Sequence, residues 1–238
     1  ATLAVLLGVG AALGQNAVGV MAFLGALAVS CAVVFLANLG GRASPVKLLL
    51  AGPALSAVCG AFSNFVVYQT GPDQAASQVM RWTMGSLAAA SWPVNGVMLG
   101  IALLGTVFFL SQSRGLNLML LGDETARTLG LDLHRRRLAC LAAAALMTGF
   151  AVWAAGIIGF VGLVVPHVVR MLFGTDHRRL VPLSALTGGL FLLWADVLCR
   201  VILPGSELPV GILTSMLGAP VFLWLMARGR YHFGGGAA

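Results

Sequence analysis

Residues 138–169 read LACLAAAALMTGFAVWAAGIIGFVGLVVPHVV, a stretch of 32 residues without a single Asp, Glu, Lys or Arg. Stretches of the same kind recur at residues 1–41, 48–72, 82–113 and 208–227. A helical crossing of a bilayer needs about 20 apolar residues, and backbone groups in lipid must be hydrogen-bonded within the protein. Because the stretches are continuously apolar rather than alternating, they predict an all-α polytopic membrane protein instead of a barrel.

The charge balance also excludes a soluble domain. Hydrophobic residues make up 59% of the 238 residues, against 14 Lys and Arg and 7 Asp and Glu. In a soluble protein the net charge of +7 would indicate nucleic acid or an acidic partner, but in a membrane protein the question is which side the basic residues occupy. The four cysteines fall in or at the ends of apolar stretches without C-x-x-C spacing. They predict packing residues rather than disulfides or a metal site.

Breaks in the apolar stretches divide them into crossings. Gly14-Gln15-Asn16 interrupts the first stretch, and Pro204-Gly205-Ser206-Glu207 separates the last two. Outside residues 138–173, the predicted crossings are residues 1–13, 17–37, 48–69, 92–111, 180–202 and 208–227. The chain starts inside an apolar run without an initiator Met, so we expect it to lack its natural N-terminus.

The stretch 138–169 is too long for one upright helix and too short for two ordinary ones. Gly156, Gly159 and Gly162 allow a helix, a tight turn and a short returning helix that ends near Phe173. With one crossing, the Lys and Arg residues divide eight to six between the two sides, whereas two crossings divide them 12 to 2. The positive-inside rule favours the second arrangement. We therefore predict a hairpin, eight crossings in all, and a start and C-terminus that both face the cytoplasm.

Residues 113–137, SRGLNLMLLGDETARTLGLDLHRRR, form the longest charged island. Asp123, Glu124 and Thr125 are good residues for the start of a helix, and Gly130 is a natural stop. Asp132 can cap the helix that follows. The pattern predicts a short capped helix at about 123–129 on the cytoplasmic side. It is either a connecting loop or a knob on which a cytoplasmic partner pushes.

His167 and Asp196 are polar residues in apolar stretches, and each allows a structural or a functional interpretation. His167 allows a metal or proton-relay role, but no His or Cys at ligand spacing accompanies it, which favours a structural role. Asp196 is a carboxylate inside a predicted crossing, and Arg200 lies four residues later on the same helical face. We predict a structural ion pair between them; the alternative is an ion-coupled secondary transporter that uses Asp196. Ser206 and Glu207 are explained as the cap of the last crossing.

Three blocks of sequence resemble the permease family of bacterial ABC importers for iron–siderophore complexes, haem and vitamin B12, the FecCD type. The similarity extends upstream through residues 48–52 and 82–87, and it covers nearly the whole chain. The three blocks are residues 121–130 (LGDETARTLG), residues 159–167 (GFVGLVVPH) with 176–179 (DHRR), and residues 207–211 (ELPVG) with 218–220 (GAP).

The resemblance implies an architecture and a set of partners. Family members have ten crossings, so eight here imply that the first two are missing from a single permease domain of residues 1–238. The implied partners are a second copy of the permease, two ABC ATPase subunits and an extracytoplasmic binding protein, in the lipid of a bacterial plasma membrane and without nucleic acid. Because no Walker A motif occurs in the sequence, the resemblance implies a transport subunit that binds no cofactor, with ATP and Mg on the partner ATPase. Which metal chelate is carried stays open.

The resemblance also assigns roles to residues. The cytoplasmic coupling segment 113–137 is expected to hold the helix that sits in a cleft of the ATPase, formed by Gly122, Asp123, Glu124, Ala126, Arg127, Leu129 and Gly130. Within it, Glu124 and Arg127 are expected to make polar contacts with the partner, and Ala126 and Leu129 apolar ones. Arg200, and by position Arg81, are expected to meet carboxylates of the binding protein. The pathway is expected between the two permease copies along the 48–69 crossing, with its polar groups and gate at Ser63, Asn64, Ser44, Pro45 and Lys47.

Overall fold

The structure is a computed structural model that describes residues 15–38, 45–70, 82–88, 90–202 and 208–228. Regular structure in these ranges is helical, as the sequence predicts. The helices are α1 (Gln15–Asn38), α2 (Pro45–Thr70), α3 (Trp92–Met119), α4 (Asp123–Thr128), α5 (Leu133–Ala155), α6 (Val161–Phe173), α7 (His177–Ile202) and α8 (Val210–Arg228).

Three helices in the described part of the chain are long and apolar enough to cross a membrane: α3, α5 and α7. The apolar parts described for α1, α2, α6 and α8 are shorter, at Phe23–Val33, Leu50–Val66, Val161–Phe173 and Val210–Leu225. The predicted crossing at 1–13 lies outside the described residues. The count of eight crossings therefore stays a prediction.

The predicted hairpin over 138–173 is confirmed as two helices with a tight turn. α5 ends at Ala155, and α6 runs only from Val161 to Phe173. The 13 residues of α6 rise about 20 Å, less than the hydrocarbon thickness of about 30 Å. Two of the three glycines proposed to make the turn do not have a left-handed backbone. That conformation is adopted by Gly156 (φ 71°) and by Phe160 (φ 65°), which is not a glycine.

The end of α3 corrects a second prediction. The sequence predicts a helix that stops near residue 111, before Arg114, whereas α3 continues to Met119. The extra turns are stabilised by tertiary contacts with α5. Gln112 accepts a hydrogen bond from Arg136 Nη1 at 2.7 Å, and the Arg136 side chain lies across the buried Gly115.

The helices pack as a row that ends in a three-helix group. α1 packs on α2 and α5, α5 packs on α3, and α3 packs on α7. At the end of the row, α6, α7 and α8 contact one another. The rings of Phe23 and Phe150 lie 4.7 Å apart, which sets the early part of α1 beside the late part of α5. α1 and α5 are therefore antiparallel.

The alternation of helix directions gives the bundle two ends. At one, called here the α4 end, α3, α6 and α8 finish and α4, α5 and α7 begin. At the other, the far end, α5 and α7 finish and α3, α6 and α8 begin. The arginines that the structure describes at the α4 end lie in the turns or in the helix ends beside them: Arg114, Arg127, Arg135, Arg136, Arg137, Arg170, Arg178 and Arg179. Among the described arginines, Arg200 alone belongs to the far end, so the segregation of charge that the hairpin predicts is present in the structure.

At the far end, the segment 82–86 is bonded to the ends of two helices. Ser86 N donates to Ala155 O at 2.9 Å, and Ile157 N donates to Trp82 O at 3.1 Å. A Cβ added to Gly211, at the start of α8, would collide with the Met84 carbonyl. The backbones approach so closely here that this junction requires glycine.

Candidate functional site

The candidate site is the short helix α4, which is defined by a glycine at each end. Gly122 precedes it with φ 97°, and Gly130 follows it with φ 80°. At the C-terminal end, Gly130 N donates to Arg127 O at 2.9 Å, and Leu131 N donates to Ala126 O at 3.0 Å. These two bonds form a Schellman motif, which requires a left-handed residue at Gly130. The predicted helix at 123–129 is thus confirmed to within one residue.

The coupling residues predicted in α4 divide into an exposed and a buried set. Glu124, Arg127 and Leu129 are exposed. Ala126 is fully buried, because it faces the rest of the chain. It therefore has no exposed surface with which to make the apolar contact that the resemblance implies.

α4 is joined to α5 by an ion pair. Arg137 Nη2 donates to Asp123 Oδ1 at 2.7 Å, and the two side chains are 26% and 45% exposed. A second aspartate, Asp132, caps α5 by accepting from Arg135 N at 3.1 Å. This confirms the predicted cap. A six-residue helix is not stable alone, so α4 depends on these attachments for its position.

α5 is joined in turn to α3. The bond from Arg136 Nη1 to Gln112 Oε1 bridges the two helices. A Cβ added to Gly115 would lie 2.5 Å from Arg136 Cδ, so the guanidinium stem occupies the space that the missing side chain leaves. α4 is therefore attached, directly or through α5, to both long helices that flank it.

Sequence reasoning missed a third attachment, formed by Asn117 near the end of α3. Asn117 Nδ2 donates to Asp176 Oδ1 at 2.6 Å, and Asn117 Oδ1 accepts from His177 N at 2.9 Å. His177 Nδ1 also lies 2.7 Å from Asn117 Oδ1. The hydrogen bonds from Asn117 and from Arg178 N lower the pKa of the Asp176 carboxyl. No local signal marks a contact between residues about 60 positions apart. The only sequence feature at this contact is the DHRR block at 176–179, which contains both partners of Asn117.

The predicted structural ion pair in α7 is present. Arg200 Nε donates to Asp196 Oδ2 at 2.8 Å, and Arg200 Nη2 to Asp196 Oδ1 at 3.4 Å. Arg200 belongs to the far end, remote from α4. Arg81, its predicted companion in binding-protein contact, lies outside the described residues.

The predicted pathway residues are partly described. Ser44 lies outside the described residues, and Pro45 and Lys47 belong to the first turn of α2, where the side chains are not described. Ser63 is half-buried and Asn64 is exposed on α2. Among the described elements α2 packs on α1 and leaves a large apolar face open, formed by Leu50, Val58, Phe62, Phe65 and Tyr68.

The described residues offer no metal-binding cluster, and their cavity is lined almost entirely by apolar side chains. The described residues contain no group of three or more His, Cys, Asp or Glu side chains that could hold a metal ion. A cavity of about 370 Å³ lies between α6, α7 and α8, and its lining is apolar apart from Thr187 and Thr214. Both hydroxyls donate to carbonyl groups of their own helices, so neither offers its proton to a solute in the cavity.

Comparison with known proteins places these features in a family. Residues 1–228 match the FecCD transport family. The chain is 44% identical over 209 residues to the hemin transport system permease protein HmuU of Yersinia pestis, covering 88% of this chain and 62% of that protein. It is 42% identical over 229 residues to the vitamin B12 import system permease protein BtuC of Escherichia coli O9:H4 (strain HS), covering 95% and 68%.

A solved structure shares the fold. An inward-facing conformation of a metal-chelate type ABC transporter superposes with a TM-score of 0.82 at 29% identity, covering 96% of this chain and 71% of that one. The chain spans about three fifths of the length of the curated relatives it matches.

Proposed function

The chain belongs to the FecCD transport family, and from this premise we propose that it is the permease subunit of an ATP-driven ABC importer for iron–siderophore, haem or cobalamin-type chelates. The single observation that carries the proposal is α4. It is a short helix with exposed Glu124, Arg127 and Leu129, tied to two long helices at the end of the bundle where arginine is concentrated.

The arginine-rich α4 end faces the cytoplasm in this proposal. Basic residues are retained on the cytoplasmic side of membrane proteins, and α8 also finishes at this end, which makes the C-terminus cytoplasmic. The chain has no P-loop sequence, so ATP and Mg are bound by two separate ATPase subunits. Two permease copies and an extracytoplasmic binding protein complete the importer.

Transport follows from the attachments of α4. Closure of the ATPase pair on nucleotide displaces α4, and the Asp123–Arg137 and Gln112–Arg136 contacts carry that displacement into α5 and α3. The permease halves rock about the pathway between inward and outward access. The pathway runs between the two copies along α2, past Ser63 and Asn64.

The binding protein docks at the far end. Arg200 is 48% exposed while it remains paired with Asp196, so the exposed part of its guanidinium can donate hydrogen bonds to a carboxylate of the binding protein. The same pair argues against an ion-coupled secondary transporter. A coupling carboxylate must exchange its proton with the pathway, whereas Asp196 is held by two hydrogen bonds from Arg200.

Alanine substitutions in α4, with a control that removes the same charge outside α4, test the proposal. We expect Arg127→Ala and Glu124→Ala to weaken assembly with the ABC ATPase of the same transport system by at least about fivefold, since an interface contact of consequence is worth more than about 1 kcal/mol. Arg135→Ala removes the same charge outside α4 and is expected to assemble normally. Assembly is measured by co-purification, and transport by binding-protein-stimulated ATP hydrolysis in proteoliposomes. Normal assembly of both α4 variants would refute the coupling role.

A further inference from the structure

Asn117 makes a denser set of contacts than its place near the end of a helix requires. Its amide nitrogen donates to the Asp176 carboxylate, and its amide oxygen accepts from the His177 backbone, with the imidazole 2.7 Å away. Both polar atoms of the Asn117 side chain therefore form hydrogen bonds with the turn between α6 and α7.

Besides the packing of α3 on α7 and of α7 on α6, this turn gives α3 a direct polar contact next to the end of α6. In the described part of the chain, α6 packs on α7 and α8 and has no extended contact with α3, α4 or α5. α3 meets the α6–α7 turn through Asn117, two residues before its end, and α4 begins four residues after that end. Asn117 thus lies between the candidate coupling helix, α4, and the end of α6.

The turn that Asn117 contacts is held on both sides by hydrogen bonds. Asp176 accepts from Arg178 N at 3.1 Å and so caps α7. At the other side of the turn, Gly174 N donates to Arg170 O at 3.0 Å and closes α6. A force applied to Asp176 through Asn117 is consequently passed to both helices rather than absorbed by a loose loop.

We infer that Asn117 is a positioning residue of the transport cycle, which makes α6 and α7 follow the displacement of the α3–α4 connection. The inference rests on the proposed function, because it takes α4 as the element that the ATPase moves. Coupling of this kind needs a physically continuous series of contacts, and here it runs from α4 to α5, from α5 to α3, and from α3 through Asn117 to the turn.

The functional test is the amount of substrate transported per ATP hydrolysed in the reconstituted importer. We expect Asn117→Ala to lower this ratio by about fivefold, the lower bound of ordinary coupling between sites, while assembly with the ATPase is kept. Asn95→Ala is the matched control, because Asn95 is an exposed asparagine of the same helix at the far end. A proportional loss of transport and hydrolysis in Asn117→Ala would indicate a structural role and overturn the inference.

Reciprocal substitution tests the hydrogen bond itself. Asn117→Asp sets two carboxylates against each other and is expected to lower the ratio at least as far as Asn117→Ala. The double variant Asn117→Asp/Asp176→Asn exchanges donor and acceptor, keeps an oxygen to cap α7, and is expected to restore the ratio. Failure of the double variant to recover would count against Asn117 acting through Asp176.

A second measurement does not depend on transport. Spin labels are placed at two exposed positions, Thr128→Cys in α4 and Arg178→Cys after the turn, in a background without the four native cysteines. We expect Asn117→Ala to broaden the distance distribution between them in detergent and Asn95→Ala to leave it unchanged. An unchanged distribution in Asn117→Ala refutes the positioning role even if the importer works, whereas failure of the ATPase to assemble with the unaltered chain refutes the proposed function alone.

Discussion

Removal of the Asp123–Arg137 ion pair should release α4 while the long helices stay folded. The perturbation is a double-mutant cycle of Asp123→Ala, Arg137→Ala and the double variant. A cycle is needed because Asp123 also stabilises the first turn of α4 through the helix dipole. Replacing Asp123 alone therefore removes more stabilising free energy than the ion pair contributes. The pairwise energy is what remains when both single effects are subtracted.

The magnitude follows from the geometry and the exposure. A hydrogen bond to a charged group contributes about 1.5–3 kcal/mol when it is shielded. With Asp123 45% exposed and Arg137 26% exposed, solvent screening reduces the pair to about 1 kcal/mol. An energy of about 1 kcal/mol changes an equilibrium constant by about fivefold. We expect this factor in the fraction of chains with α4 detached.

Hydrogen exchange read by mass spectrometry measures that fraction. The amides of Ala126 and Leu131, bonded within α4 and its Schellman turn, should exchange at least about fivefold faster in Arg137→Ala, because local opening governs their exchange. The coupling between the two single variants in the cycle should itself amount to about fivefold. Amides in the middle of α3 and α5 should be unchanged. Arg135→Ala is the control: its pair with Asp132 is 88% and 55% exposed and should contribute about 0–0.5 kcal/mol. Equal exchange in Arg137→Ala and Arg135→Ala would refute the reasoning.

Three further predictions concern stability, pH and transport. Gly211→Ala should destabilise the chain by about 1–3 kcal/mol, since backbone must move to admit the methyl group, whereas Gly96→Ala meets nothing within 4 Å and should be neutral or stabilising; thermal unfolding in detergent measures both. Because hydrogen bonds lower the pKa of Asp176, its contribution to the α6–α7 turn is complete above about pH 3.9, the ordinary pKa of Asp, and is lost as pH falls through the lower pKa of the folded turn. Hydrogen exchange of the turn, corrected for intrinsic rate, should therefore rise as pH falls below about 4. Burial lowers the pKa of His177 in the same turn, which adds a separate, earlier rise below about pH 6.5, so the absence of a further rise below about pH 4 is the result that would contradict the prediction for Asp176. Asp196→Asn should leave ATP-driven uptake largely intact, because a neutral amide still accepts from Arg200, and abolished uptake with normal assembly would revive the carrier alternative.

Features with a local cause were predictable from the sequence. Gly122 and Gly130 enclose α4 because a left-handed backbone favours glycine, and Asp132 caps α5 because a carboxylate satisfies free amides. The Asp196–Arg200 pair was predictable since four residues are nearly one helical turn. The end of α3 was predicted wrongly, because its last turns are polar and are held by Arg136 from another helix.

Contacts between distant parts of the chain were not predictable in the same way. Phe160 takes a left-handed backbone although two glycines flank its turn, and a Cβ on Gly218 of α8 would collide with its side chain. Asn117 carries no sign of its three interactions with residues about 60 positions later. The burial of Ala126 follows from the packing of α4 and not from its small size.

The sequence by itself determined that this protein lies in a membrane, that its apolar stretches are helical and that its basic residues gather at one end. These properties come from the cost of leaving charge or unbonded backbone in lipid, a cost that each segment meets alone. The tertiary structure decided which residues join the helices: Asp123 with Arg137, Gln112 with Arg136, and Asn117 with Asp176. Such pairs depend on how neighbouring helices are rotated and displaced along one another, and that geometry is set by packing over the whole bundle rather than by any single stretch.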